Sequence, residues 1–120
     1  MKFKKYNPVE EKGNCIIRSF SKLFNKDYYK VKEELLELQK QLNYTDYREI
    51  EVFETYLKNN NATTIDIKNK IVKDLELKEG KYAIFCFKDD FYHMTALIDN
   101  IIYDKNDNCF DLNLIKIYKI

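Results

Sequence analysis

The sequence predicts an α+β fold, with N-terminal helices packed on a C-terminal antiparallel β-sheet, and three observations predict it. Apolar residues recur at helical spacing from Cys15 to about residue 75. After Glu79-Gly80 the period changes to extended, with apolar and alternating runs. Helices first and strands afterwards is the α+β arrangement. Two Gly and one Pro in 120 residues leave few forced breaks. With 45% hydrophobic content the chain reads as a single domain, residues 1–120, large enough to bury a core without disulfides or metals.

Taken in order, residues 1–13 contain Asn7-Pro8 and end in Lys12-Gly13, which reads as an extended lead-in and a loop delivering Asn14 to a helix N-cap. From Cys15 to Phe24, Ile16, Phe20 and Leu23 lie on one helical face, widened by Ile17 and Phe24. Asp27 is a good N-cap for a second helix with Val31, Leu35, Leu38 and Leu42 on one face, ending near Asn43. Thr45 or Asp46 can cap a third, carrying Ile50, Phe53 and Leu57 and stopped by Asn59-Asn60-Asn61. A short fourth helix is expected to start at Thr63 to Asp66, with Ile67, Ile71 and Leu75 on one side.

Tyr82-Ala83-Ile84-Phe85-Cys86-Phe87 is apolar on both faces, as a central buried strand requires. Lys88-Asp89-Asp90 turns the chain into a strand from Phe91 to Ile98. Asp99-Asn100 is a two-residue turn candidate leading to Ile101–Asp104, and a last strand is expected at roughly 110–118. A two-residue loop fixes the register: Ile98 opposes Ile101, Leu97 opposes Ile102 and Ala96 opposes Tyr103. His93, Thr95 and Leu97 then share a face with Ile102 and Asp104, and His93 lies diagonal to Asp104. Asn106 would oppose His93 if the strand continued; Asp104 is preferred because it directly follows Ile101-Ile102-Tyr103.

Lys plus Arg at 21 against Asp plus Glu at 20 gives a net charge of +1 with both signs interspersed, which is a solvated surface and excludes a nucleic-acid footprint. No stretch approaches a membrane span, and Met1-Lys2-Phe3-Lys4-Lys5 lacks the apolar run of a secretory signal, so a cytoplasmic location is expected. Three cysteines, at positions 15, 86 and 109, are an odd number without close pairing and argue for reduced thiols. Joining them with His93 into a zinc site finds no supporting spacing, so neither a metal nor another cofactor is expected.

Cys15 stands apart because Gly13-Asn14 places it at a helix start. The first N–H groups of a helix have no intrahelical partner and the macrodipole adds partial positive charge, so a thiolate there is favoured and its pKa falls below the ordinary value of about 8.5. The chain holds one histidine, His93. An imidazolium beside such a thiolate stabilises it and returns a proton to a leaving group, while a carboxylate or amide orients the ring.

Asn7-Pro8, Gly13-Asn14-Cys15-Ile16-Ile17-Arg18-Ser19, Asn25-Lys26-Asp27-Tyr28, Gly80-Lys81-Tyr82 and the run from His93 to Asp104 resemble the small papain-like cysteine-peptidase-fold proteins encoded by phages and prophages. The resemblance spans nearly the whole chain. It implies a minimal papain-like α+β fold, Cys15 as nucleophile, His93 as base and Asp104 as orienting acid, with Asn106 as the alternative third member. The Cys15 backbone N–H would serve the oxyanion, helped by Asn14 or Asn7. The chain departs from the family pattern at Asn14, Asn100 and Lys105-Asn106-Asp107, where the family carries Asp, Gly and a Thr-Trp-Asp run.

The expected function is a papain-like thiol hydrolase, a peptidase, isopeptidase or related amidase, acting on a peptide or protein. The alternative is a catalytically silent phage accessory protein that uses the same scaffold to bind and inhibit a host protein, in the host cytoplasm. Neither expectation involves nucleic acid or membrane.

Overall fold

The computed structural model describes residues 1–120 as six strands, β1 (Lys2–Lys5), β2 (Thr63–Ile65), β3 (Lys81–Lys88), β4 (Phe91–Ile98), β5 (Ile101–Asp104) and β6 (Asn113–Lys119), with three helices, α1 (Cys15–Leu23), α2 (Tyr28–Gln41) and α3 (Ile50–Asn59). The strands form one sheet in the order β1-β5-β4-β3-β6-β2. The fold is α+β, and its sheet is mixed: β1 runs parallel to β5 while every other pair is antiparallel.

Local chemistry accounts for the helix boundaries. The Asp27 carboxylate accepts from the Tyr29 and Lys30 N–H groups and caps α2. Each helix is followed by an asparagine in the left-handed region, Asn25 (φ 50°), Asn43 (φ 61°) and Asn61 (φ 67°), a conformation that Asn tolerates better than other residues with a Cβ. Lys81 Nζ, arriving from β3, donates to the Leu23 carbonyl and satisfies one of the free acceptors at the end of α1.

The sheet is covered on both faces. On one, Phe20, Leu23, Val31, Leu35, Phe53 and Leu57 of the helices pack against Ala83, Met94, Ala96 and Tyr118. On the other, Ile84, Cys86, Leu97, Ile102 and Ile117 are covered by Val72, Leu75, Cys109 and Leu112. Each fully buried large apolar side chain of this kind contributes about 1.5–3 kcal/mol. Burial on both faces is why β3, between β4 and β6, reads as an unbroken apolar run.

Four expectations are corrected. The lead-in is not merely a loop: Lys2–Lys5 pairs with Ile101–Asp104 as a parallel edge strand, so the sheet is neither wholly C-terminal nor wholly antiparallel. No fourth helix forms; Thr63–Ile65 pairs with β6 at the other edge, where its β-branched residues suit a strand. The following chain is largely irregular, with one 3-10 turn at Val72–Asp74, and lays Val72 and Leu75 on the second sheet face. Helix α3 starts at Ile50 instead of beside Asp46, because the Asp46 carboxylate is engaged by the backbone N–H and guanidinium of Arg48. The last strand starts at Asn113, since Asp107–Asp111 forms a 3-10 turn with Asn106 accepting from the Asn108 N–H.

Candidate active site

Cys15 is the first residue of α1, and Asn14 is its N-cap without making a side-chain cap. The Asn14 amide is used elsewhere: Nδ2 donates to the Val9 carbonyl and Oδ1 accepts from Arg18. The N–H groups of Cys15, Ile16 and Ile17 thus stand at the helix start, where no earlier carbonyl of the helix can reach them. Gly13 enters this start at φ 64°, its carbonyl accepts from the Tyr47 hydroxyl, and the Arg48 guanidinium lies over it. A Cβ at position 13 would clash with Arg48 Nη1. Gly13→Ala is expected to lower stability by about 1 kcal/mol, chiefly through the left-handed backbone because Arg48 can swing aside, and urea unfolding measures the loss.

The hairpin meets this helix start. Asp99 (φ 48°) and Asn100 (φ 67°) make the two-residue turn, and Ile98–Ile101, Leu97–Ile102 and Ala96–Tyr103 pair in the expected register. The β4–β5 ladder stops at Ala96–Tyr103, so the Phe91–Thr95 half of β4 is free on that edge. Helix α1 takes the place of a strand there: the Ser19 hydroxyl donates to the Met94 carbonyl, and Arg18 reaches Asp104 at the end of β5. His93 Nε2 and Asp104 Oδ2 lie 2.7 Å apart across the same opening. Nε2 is committed to the carboxylate, which leaves Nδ1 as the ring nitrogen for Cys15. Phe91 stacks on the imidazole with 5.7 Å between centroids.

The electrostatics follow from this packing. Burial alone would raise the half-buried Cys15 thiol, but the His93 hydrogen bond and charge, a backbone hydrogen bond from Met94 and the charge of Arg18 together bring it below its ordinary value. Burial would lower His93, yet hydrogen bonds to Asp104 and Cys15 and their charges raise it to about 9. Asp104 is 2% exposed, and although burial opposes ionisation, His93, Thr95 and Arg18 hold its pKa below the usual carboxylate range. The other two thiols behave oppositely: burial pushes Cys109 up to about 12 and Cys86 further.

The sequence-derived residues do not all converge. Cys15, His93 and Asp104 line one cleft of about 370 Å³, together with Asn14 and Asn106. Asn106 is there as the cap of the 3-10 turn, and the His93 ring is engaged by Asp104. The Asn14 amide is spent on Val9 and Arg18, so as an oxyanion donor it gives way to the backbone N–H groups that follow it. Asn7 is outside this lining. A second groove, about 500 Å³ and mostly apolar, meets the first at Cys15 and His93 and is walled by Ile16, Ile50, Phe53, Phe85 and Tyr92. No cluster of three or more His, Cys, Asp or Glu is arranged to hold a metal ion, and no helix is long and apolar enough to cross a membrane.

The residue that the sequence did not single out is Arg18, 3% exposed and bonded to both Asn14 and Asp104. Nothing local in the sequence marks it as buried, since its carboxylate partner lies 86 residues away. Fold and site together define the class as an α+β domain with a helix-start thiol facing a histidine–carboxylate pair. Comparison with protein-family models, with curated proteins and with solved structures finds no match to the chain.

Proposed function

We propose that the chain is a papain-like thiol hydrolase that cleaves an amide or related acyl bond of a peptide or protein, with Cys15 as nucleophile, His93 as acid and base and Asp104 as orienting carboxylate. The observation that carries this reading is the meeting of a helix-start cysteine and a 2.7 Å histidine–carboxylate pair in one cleft. The Cys15 thiolate attacks the carbonyl carbon and the charge moves to the carbonyl oxygen, which the free N–H groups at the start of α1 receive. Collapse expels the leaving amine, which takes the proton from His93 and leaves a Cys15 thioester. Water attacks the thioester while His93 takes its proton. The carboxylic acid departs, and the proton on His93 together with the regenerated thiolate restores the starting pair.

A p-nitrophenyl ester, which reports acyl transfer without knowledge of the natural substrate, tests this. The expected result is a burst of nitrophenol, an acyl adduct on Cys15 by mass spectrometry, and loss of at least about a thousandfold in rate in Cys15→Ala. Identical release by both proteins with no adduct rejects the reading. The second reading, a silent scaffold that binds a host protein, is favoured by Phe91 and Tyr92 on the strand that carries His93, 57% and 61% exposed. It predicts that Cys15→Ala keeps the biological effect in full.

A further inference from the structure

We propose that Arg18 is a positioning residue of this centre, a buried fork that fixes the helix carrying Cys15 to the carboxylate that orients His93. The proposal rests on the reading of Cys15 and His93 as the reacting pair. One guanidinium nitrogen, Nη1, donates to Asn14 Oδ1 at 2.8 Å, and the other, Nη2, donates to Asp104 Oδ1 at 2.9 Å. Asn14 immediately precedes Cys15 and is itself anchored to the Val9 carbonyl. Asp104 divides its oxygens, Oδ2 to the His93 ring and Oδ1 to Arg18 and the Lys105 N–H. The path from Val9 through Asn14, Arg18 and Asp104 to His93 is thus a continuous run of hydrogen bonds, closed by a planar group whose two arms cannot move independently.

A purely stabilising contact does not call for this. A buried ion pair loses much of its Coulombic gain to desolvation, and apolar packing of the same volume serves stability as well or better. Arg18 also leaves its Nε buried without a partner, an added cost at a position surrounded by Ile17, Ser19 and other buried residues of α1. What the fork supplies that an apolar residue cannot is a fixed relation between the helix start and the end of β5, together with a positive charge near the thiol.

The charge also bears on ionisation. The groups facing the pair are Arg18 from α1, Asp104 from β5, Cys86 from β3, Cys109 from the 107–111 turn, and Tyr47 with Arg48 from the loop before α3. Cys86, Cys109 and Tyr47 have raised pKa values and stay neutral through pH 8, so the charged groups around the pair are Arg18, Arg48 and Asp104, with Glu11, Lys12 and Lys105 also on the cleft lining. Removing Arg18 therefore leaves the Asp104 charge more exposed to the thiol and opposes the thiolate.

The test reads the pH profile of iodoacetamide reaction at Cys15 and the ester turnover in the wild-type chain, Arg18→Met and Arg18→Lys, with folding checked by circular dichroism. In Arg18→Met the alkylation midpoint should move upward, lowering the rate at pH 6 by about tenfold while the alkaline plateau is kept. Arg18→Lys keeps the charge and loses the fork, so its midpoint should stay near wild type while turnover falls. A low wild-type midpoint that neither variant moves, with turnover unchanged, overturns the role of Arg18. An ordinary wild-type midpoint instead rejects the reading of the reacting pair itself. If Arg18→Met does not fold, Arg18→Lys decides alone, and full turnover in the folded Lys variant overturns the proposal.

Discussion

Iodoacetamide at pH 6 to 7 is expected to label Cys15 selectively, faster than Cys86 or Cys109 by a factor on the order of a thousand or more. Only the thiolate reacts, so the ratio follows the ionised fractions, modified by access. Cys15 titrates below its ordinary value beside His93, whereas burial holds Cys109 near about 12 and Cys86 higher still. Cys86 and Cys109 are also buried, while Cys15 lines a cleft. Turnover should then be bell-shaped: it rises as the thiolate forms below the ordinary thiol range and falls as His93 loses its proton near about 9. Peptide mapping after a timed pulse gives the three rates separately. Equal, slow labelling of all three, or a Cys15 midpoint at the ordinary thiol value, would sink the reading of Cys15 as an activated nucleophile.

How much of this was legible from residues alone depends on how far apart the cooperating groups lie. Helix α1 and its cysteine were legible because Gly13, Asn14 and the apolar period are adjacent in sequence, and the Asp27 cap was legible for the same reason. The hairpin was legible because a two-residue turn fixes every pair that follows it, which is how His93 and Asp104 could be placed together from opposite strands. The next pair of that register, Thr95 with Asp104, is absent from the ladder, yet the diagonal survives because the strand ends stay close where α1 enters.

The misses are of another kind. Edge strands of three and four residues, Thr63–Ile65 and Lys2–Lys5, carry no pattern strong enough to announce a partner, since their register is dictated by β6 and β5. Ile67, Ile71 and Leu75 mimic a helical stripe, but the second sheet face needed covering and an irregular segment covers it. Arg18 is not legible as a bridge, because its acidic partner lies 86 residues away and charge pairing over that distance leaves no local trace.

Asp104→Asn is expected to destabilise the fold by about 3–5 kcal/mol at pH 6, the cost of leaving the buried Arg18 charge without its counter-ion. Shape is nearly unchanged, so the loss isolates charge and hydrogen bonding. The pH dependence gives an independent check. The folded-state pKa of Asp104 is depressed, so its contribution is present above the unfolded value of about 3.9 and is lost as pH falls through the lower folded value. His93 is raised to about 9, so its contribution is full below about 6.5 and is lost as pH rises through about 9. Cys15 is depressed and acts oppositely on the alkaline side, its contribution being present above about 8.5 and lost as pH falls. The acid limb is therefore the cleaner measurement, and urea unfolding from pH 6 down to 3 should show a steeper loss in wild type than in Asp104→Asn. The double variant Arg18→Met with Asp104→Asn removes both buried charges and should recover a large part of the stability without recovering turnover. Parallel acid limbs in wild type and Asp104→Asn, or a double variant no more stable than Asp104→Asn, would mean that the carboxylate is not the counter-ion on which the helix start depends.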